Sequence, residues 1–230
     1  MKTGPGFAGC FGKVRGNGDF ITRRLPPEFV GRWDMMLQAG LLQGRATLGD
    51  DWLQVYLNAP LWYFALGADV VGPAAWAGVL MPSVDRVGRH FPLTIAAPLF
   101  DASALPEWLH GARSWFTRCG ELALATLSEG AERMQLEAGL AALTIAPFDG
   151  DMPHGSWRDT PCQAEAGATW PSVACERGES VWWTDGAETL APSMRGCAGL
   201  PDALQLVGLF DGGTAGWPWH CELRAPPVTP

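Results

Sequence analysis

Two apolar runs, Ala75 to Met81 and Thr94 to Leu99, face each other across a short connection. Each has strand length and strand composition. The connection is too short for a helical crossover, so the pair is expected to be antiparallel. That forces a sheet into the middle of the chain. Pro92 marks the entrance to the second run. Between Pro82 and Pro92 the connection holds Asp85, Arg86, Arg89 and His90. A strand connection has no local need for two arginines, an aspartate and a histidine. Charge on a loop carried by a rigid scaffold is where binding usually sits.

The flanking pattern adds helices to this sheet. Residues 6–13 alternate aromatic and small side chains and suggest a short first strand, followed by the turn-rich Arg15 to Asp19. Pro26 and Pro27 open a helix, since proline in the first turn lacks only an N–H that would have no partner anyway. Phe29, Trp33, Met36, Leu37 and Leu41 repeat at helical spacing until Gly49, after which Asp50 or Asp51 can cap a second helix through Trp52 and Tyr56. Leu61 to Leu66 reads as a strand. A stripe from Leu105 through Trp108, Ala112, Trp115, Phe116 and Cys119 to Ala123 reads as a helix face turned to a core, with Ser103 as its cap. A further helix is expected near Glu132 to Leu143. From Pro147 to Val173 proline and glycine break all periodicity, and an irregular segment is expected. Ser180 to Asp185 reads as a strand in which Trp182 and Trp183 point opposite ways, one into the core and one toward a second layer or a partner. Leu204 to Phe210 is either a strand or the end of a helix begun at Pro201, and the tail after Cys221 is expected to fray. This order predicts a layered α/β or α+β protein, its sheet mostly antiparallel or mixed, with helices that can cover both faces.

Composition bounds the function. The net charge of −8 argues against a nucleic-acid footprint, which needs a basic patch. The first 50 residues run the other way, with Lys13, Arg15, Arg23 and Arg24 among their basic groups, and either form an ordinary solvated surface or meet an acidic partner. There is no signal-peptide core at the start and no apolar stretch long enough to span a membrane, so a cytoplasmic protein without membrane insertion is expected. The six cysteines show no metal spacing and are expected to be buried free thiols.

Chemical motifs fail one after another. Gly4, Gly6 and Gly9 match the dinucleotide fingerprint in letters, but no strand precedes them and no helix follows. Gly12-Lys13 lacks the Ser or Thr of a phosphate loop, because Val14 stands there. Neither a nucleophile elbow nor a Cys/His cluster appears. The best remaining group is Asp85, Arg86, Arg89 and His90. Its readings are a turn stitched by an Asp–Arg pair with Arg89 lying over an aromatic ring, a contact site for a protein or anionic ligand, and, with no nucleophile or metal beside it, acid–base catalysis. Asp19 can satisfy amides of its own turn.

The segments GFAGCFGKVRGNGDFITRRLP, WDMMLQAGL and WAGVLMPSVDRVGRHFPL resemble the TagF (ImpM) family of type VI secretion-associated proteins. The likeness is strongest over residues 6–100 and continues through SVWWTD. The first loop departs from the family's usual P-S-R-G-D-F, reading Val14-Arg15-Gly16-Asn17-Gly18-Asp19-Phe20. The resemblance implies a three-layer α/β fold, with residues 1–146 as the TagF-like core and 147–230 adding an irregular segment and strands to the same domain. It implies a cytoplasmic accessory protein that represses secretion post-translationally in connection with the forkhead-associated scaffold protein. It implies no catalytic activity, and no cofactor is expected. The candidate partner surface joins Arg15, Asp19 and Arg23 of the early loop to Asp85, Arg86, Arg89 and His90. The rival expectation is a small anionic-ligand-binding or enzymatic module built on Arg86, Arg89 and His90.

Overall fold

The computed structural model describes residues 6–99, 109, 112–128, 133–145 and 175–222. Its strands are β1 (Gly6–Phe7), β2 (Gly9–Gly12), β3 (Ile21–Arg23), β4 (Trp62–Leu66), β5 (Ala75–Met81), β6 (Leu93–Leu99), β7 (Thr144–Ile145), β8 (Glu179–Thr184), β9 (Ser193–Ala198) and β10 (Trp219–Glu222). Its helices are α1 (Pro27–Leu48), α2 (Trp52–Asn58), α3 (Arg113–Ala125), α4 (Arg133–Ala142) and α5 (Ala203–Asp211). Eight strands form one sheet in the order β10-β9-β8-β4-β5-β6-β2-β3, and every pair in it is antiparallel. β1 and β7 form a separate antiparallel pair.

Both faces of the sheet are covered, which makes the arrangement three-layered. On one face Phe29, Trp33 and Leu37 of α1, Trp52 and Tyr56 of α2, and Leu206, Leu209 and Phe210 of α5 pack on Trp62, Phe64, Trp76, Leu80 and Trp182. On the other, Trp115, Phe116 and Cys119 of α3 and Leu136 and Leu140 of α4 pack on Ala77, Val79, Ile95, Val181 and Trp183. The alternation of strand side chains sorts them between the layers. Trp182 and Trp183 therefore enter opposite cores, and both are fully buried. Trp33 closes its layer with a buried hydrogen bond from Nε1 to Thr94 Oγ1 of 2.7 Å. Truncating such an indole typically costs about 3–5 kcal/mol.

The expected antiparallel pairing of the two apolar runs is found, with Gly78 opposite Ala96. α1 starts where the double proline places it, with Pro26 as N-cap, and its Gly49 cap donates to Arg45 O. Two local readings change and one open alternative is decided. The expected first strand divides, because Ala8 donates its N–H to Leu143 O (3.0 Å) and so separates β1 from β2. Asp51 makes no side-chain cap to α2. It lies in the right-handed helical region and continues a 3-10 turn from Gly49, whereas a capping side chain needs an extended backbone. Leu204 to Phe210 is helix, begun by a capping box in which Asp202 and Gln205 satisfy each other's main-chain N–H groups. β3, β9 and β10 were not expected from the pattern. Ser103, Leu105, Trp108, Cys162, the segment 147–173 and the tail from 223 lie outside the described residues. The described cysteines are free and buried.

Candidate functional site

The antiparallel ladder of β2 with β6 brings two connections to one end of the sheet: residues 13–20 after β2, and 82–92 between β5 and β6. The second is a tight loop. Val84 bridges His90, Asp85 N–H donates to Arg89 O (3.0 Å), and Gly88 N–H donates to Asp85 O (3.0 Å). Gly88 sits at φ 84°, a left-handed conformation that a side chain would resist. Gly12 serves the other connection by close approach. A Cβ there would lie 2.0 Å from Pro92 O, so only glycine lets β2 run this near the end of the second loop.

Asp85 is the hub, and only 2% of it is exposed. Oδ2 accepts from Lys13 Nζ and from Arg89 Nε, both at 2.7 Å. Oδ1 accepts from the main-chain N–H groups of Val87 (3.0 Å) and Arg89 (2.8 Å). Burial by itself would raise this carboxyl. The Lys13 hydrogen bond, then those from Arg89 and Val87, outweigh it and hold Asp85 well below the usual carboxylate range. Lys13 is itself only 5% exposed and also lies over the Phe20 ring, 5.1 Å from its centroid. Lys13 thus reaches from the first connection into the heart of the second.

Two further bonds stitch the connections. Arg86 N–H donates to Asn17 O (3.0 Å), and Arg89 Nη2 donates to Gly18 O. Phe11, Phe20 and Phe91 pack beneath, with Phe20 edge-on to Phe91 at 4.8 Å. α2 braces the far side, where Tyr56 Oη donates to Ser83 O (2.9 Å) and accepts from Ser83 N–H (3.0 Å). His90 meets the Tyr56 ring edge-on at 5.8 Å and is half-buried.

The proposed site residues therefore divide. Asp85 and Arg89 hold the crossing together. Arg86 lies on the outside, one guanidinium nitrogen 3.7 Å from where a Cβ on Gly18 would be. Among the described residues its guanidinium has no hydrogen bond or ion pair. Val87 is 65% exposed and Phe20 is 49% exposed, so the outer surface is part cationic and part apolar. Asp19 is exposed in the first connection, its carbonyl accepting from Asn17 Nδ2 (3.1 Å). Arg15 turns toward Leu127 O beyond α3 (3.5 Å). Arg23 is drawn away by Glu137 of α4, which also meets Arg24 at 3.6 Å. The structure thus gathers Asp19, Asp85, Arg86, Arg89 and His90 at the crossing and assigns Arg23 to a clamp between β3 and α4. Lys13 was missed as a member. Its only sequence signal is a lysine ending an apolar strand, facing a connection that carries an aspartate.

Comparison with known proteins gives the family to which this covered antiparallel sheet with two crossed connections belongs. The family described as TagF N-terminal domain, type VI secretion system-associated, matches residues 9–143, more than half of the chain. The chain belongs to that family. The crystal structure of PA0076 from Pseudomonas aeruginosa PAO1 is similar at 33% sequence identity and a TM-score of 0.75, covering 97% of this chain and 98% of that one. No curated protein matches. The family match contains both crossing loops and ends before β8, β9, α5 and β10. Among the described residues no helix is long and apolar enough to cross a membrane.

Proposed function

We propose that this type VI secretion-associated protein acts without catalysis, as a cytoplasmic post-translational repressor. It binds the forkhead-associated scaffold protein of the apparatus through the loop crossing. One observation carries the reading. The crossing is held by buried Asp85, while Arg86 and Val87 of one connection and half-exposed Phe20 of the other are open to solvent. Pre-organised loops lose little entropy on binding, and an arginine beside exposed apolar groups is the composition of an interface hot spot.

The experiment is capture of the scaffold by wild type and by an Arg86→Ala/Val87→Ala variant, with thermal melting as the folding control. Arg89 is unsuitable for this purpose, because its side chain bonds Asp85. Retention of folding with capture reduced tenfold or more supports the reading. Equal capture by a folded variant removes the crossing as the binding surface.

A further inference from the structure

α1 is apolar on two sides. One side, with Phe29, Trp33, Met36 and Leu37, is buried against the sheet. On the opposite side Gly31, Met35, Ala39, Leu42 and Ala46 recur at spacings of four and three, and all five are exposed. Met35 and Leu42 are each 73% exposed. The solvent side of a surface helix normally carries charged and polar groups. A continuous apolar stripe of about four turns there marks a contact surface.

The stripe has a charged border. Asp34 and Arg45 lie on the same flank of it, because eleven residues complete about three helical turns. Asp34 Oδ2 accepts from Gln38 Nε2 (2.6 Å), while Oδ1 has no partner among the described residues. The Arg45 guanidinium has none among them either.

We propose that α1 packs against α1 of a second copy of this chain, antiparallel about a twofold axis passing between positions 39 and 40. Charge complementarity points to a second copy. A twofold axis makes the contact self-complementary and brings like flanks together. Asp34 then stands opposite Arg45 of the second copy, and the pair occurs twice. The same register interdigitates the side chains. Met35 falls between Leu42 and Ala46 of the second copy, Leu42 falls between its Ala39 and Met35, and the two Ala39 residues meet at the axis. A parallel pair would instead set Asp34 on Asp34 and Arg45 on Arg45. The remaining charges of the helix do not oppose this register. Arg32 turns to its own fold, donating to Val70 O (3.2 Å), and would face Thr47. Glu28 would face Asp51, which lies beyond the end of α1. One helix pair is at the small end of specific interfaces, about 1,200 Å² in total, so the dimer is expected to be weak.

The test is sedimentation equilibrium of the full chain from about 5 to 500 μM, with thermal melting at the lowest concentration as the folding control. Wild type is expected to pass from monomer to dimer across that range. Leu42→Asp, at a solvent-facing position, is expected to fold and to weaken the dimer at least tenfold, with Met35→Asp as the substitute if it does not fold. Asp34→Arg or Arg45→Asp alone sets like charges against each other across the axis and is expected to weaken the dimer several-fold. The double variant Asp34→Arg/Arg45→Asp restores opposite charges, and wild-type association is expected to return. Such recovery requires the partner to be this chain in this register. A monomer throughout, a dimer untouched by Leu42→Asp, or a double variant no better than the singles would each overturn the proposal, the first leaving the stripe to a different partner.

Discussion

The two flanks of one sheet solve the same problem in different ways. Near one edge, β2 and β6 bury a carboxylate and surround it with an ammonium, a guanidinium and two amides. Near the other, β9 buries the guanidinium of Arg195 and meets it with carbonyl dipoles and the Trp62 and Trp217 rings, with no carboxylate bonded to it, leaving one N–H unmade among the described residues. Burial costs either ion solvation. Counter-charges and hydrogen bonds more than offset that cost for Asp85, whose carboxyl is held low. They do not for Arg195. Burial draws its guanidinium down to about 10, against the pull of the Asp211 carboxylate, and it stays charged at neutral pH. The first flank has spent its hydrogen bonds on fixing two loops. The second leaves one guanidinium N–H unmade among the described residues.

The sharpest way to break this contrast is to remove each charge in turn. Asp85→Ala strands the Lys13 ammonium in a buried position, frees Arg89 and leaves two main-chain N–H groups unmet. It should lower the melting temperature further than any other substitution at either flank. It should also loosen the 82–92 loop, read as lost amide protection at Val87 and Arg89. Arg195→Met should cost less. Part of its volume is refilled, and the carbonyls it leaves lie at a helix end that can turn to water. A loss of about 2–3 kcal/mol is expected, which for a chain of this length is a fall of roughly 5–10 °C. If Arg195→Met proves the more damaging of the two, the contrast between a satisfied and a half-satisfied charge is wrong.

Much of this frame was legible in the sequence, and the gaps have physical causes. Gly78 opposite Ala96 follows from a short connection between two apolar runs. Trp182 and Trp183 announce a two-sided sheet because a strand must send them opposite ways. The pairing of Asp85 with an arginine was one of the readings the loop allowed, and Arg89 makes it. Lys13 was not legible as the second partner. A lysine gives no local sign that it will reach 72 residues along the chain to a buried acid. Arg23 was misplaced for the same reason, since Glu137 lies 114 residues away. β9 escaped because Ser193 to Ala198 puts serine, arginine and glycine where a strand pattern wants apolar groups. The residues that hid the strand are the ones that build the second charged corner.

Acid should separate the flanks without mutation. A carboxyl held low in the folded chain adds stability in full above its unfolded value, near 3.9. That contribution fades as pH falls below it and toward the folded value. Wild type should therefore lose melting temperature steeply below about pH 4, and Asp85→Asn, already lower at neutral pH, should lose less over the same interval. Parallel acid profiles for the two proteins would mean that other carboxylates carry the acid response.

The smallest effect on stability belongs to Arg86, and that smallness is its diagnostic value. Its main-chain N–H stitches the crossing, but its guanidinium holds nothing among the described residues. Arg86→Glu should thus change folding stability by no more than about 0.5 kcal/mol, while reversing an unpaired positive charge on the crossing's outer surface. Capture of the forkhead-associated scaffold should fall at least tenfold, and wild-type capture should itself weaken with added salt, since an exposed cation acts through a field that salt screens. A melting temperature that drops as far as for Arg195→Met would place the guanidinium inside the fold after all. An unchanged melting temperature with unchanged capture would leave the crossing as a loop clamp whose exposed side the partner does not read.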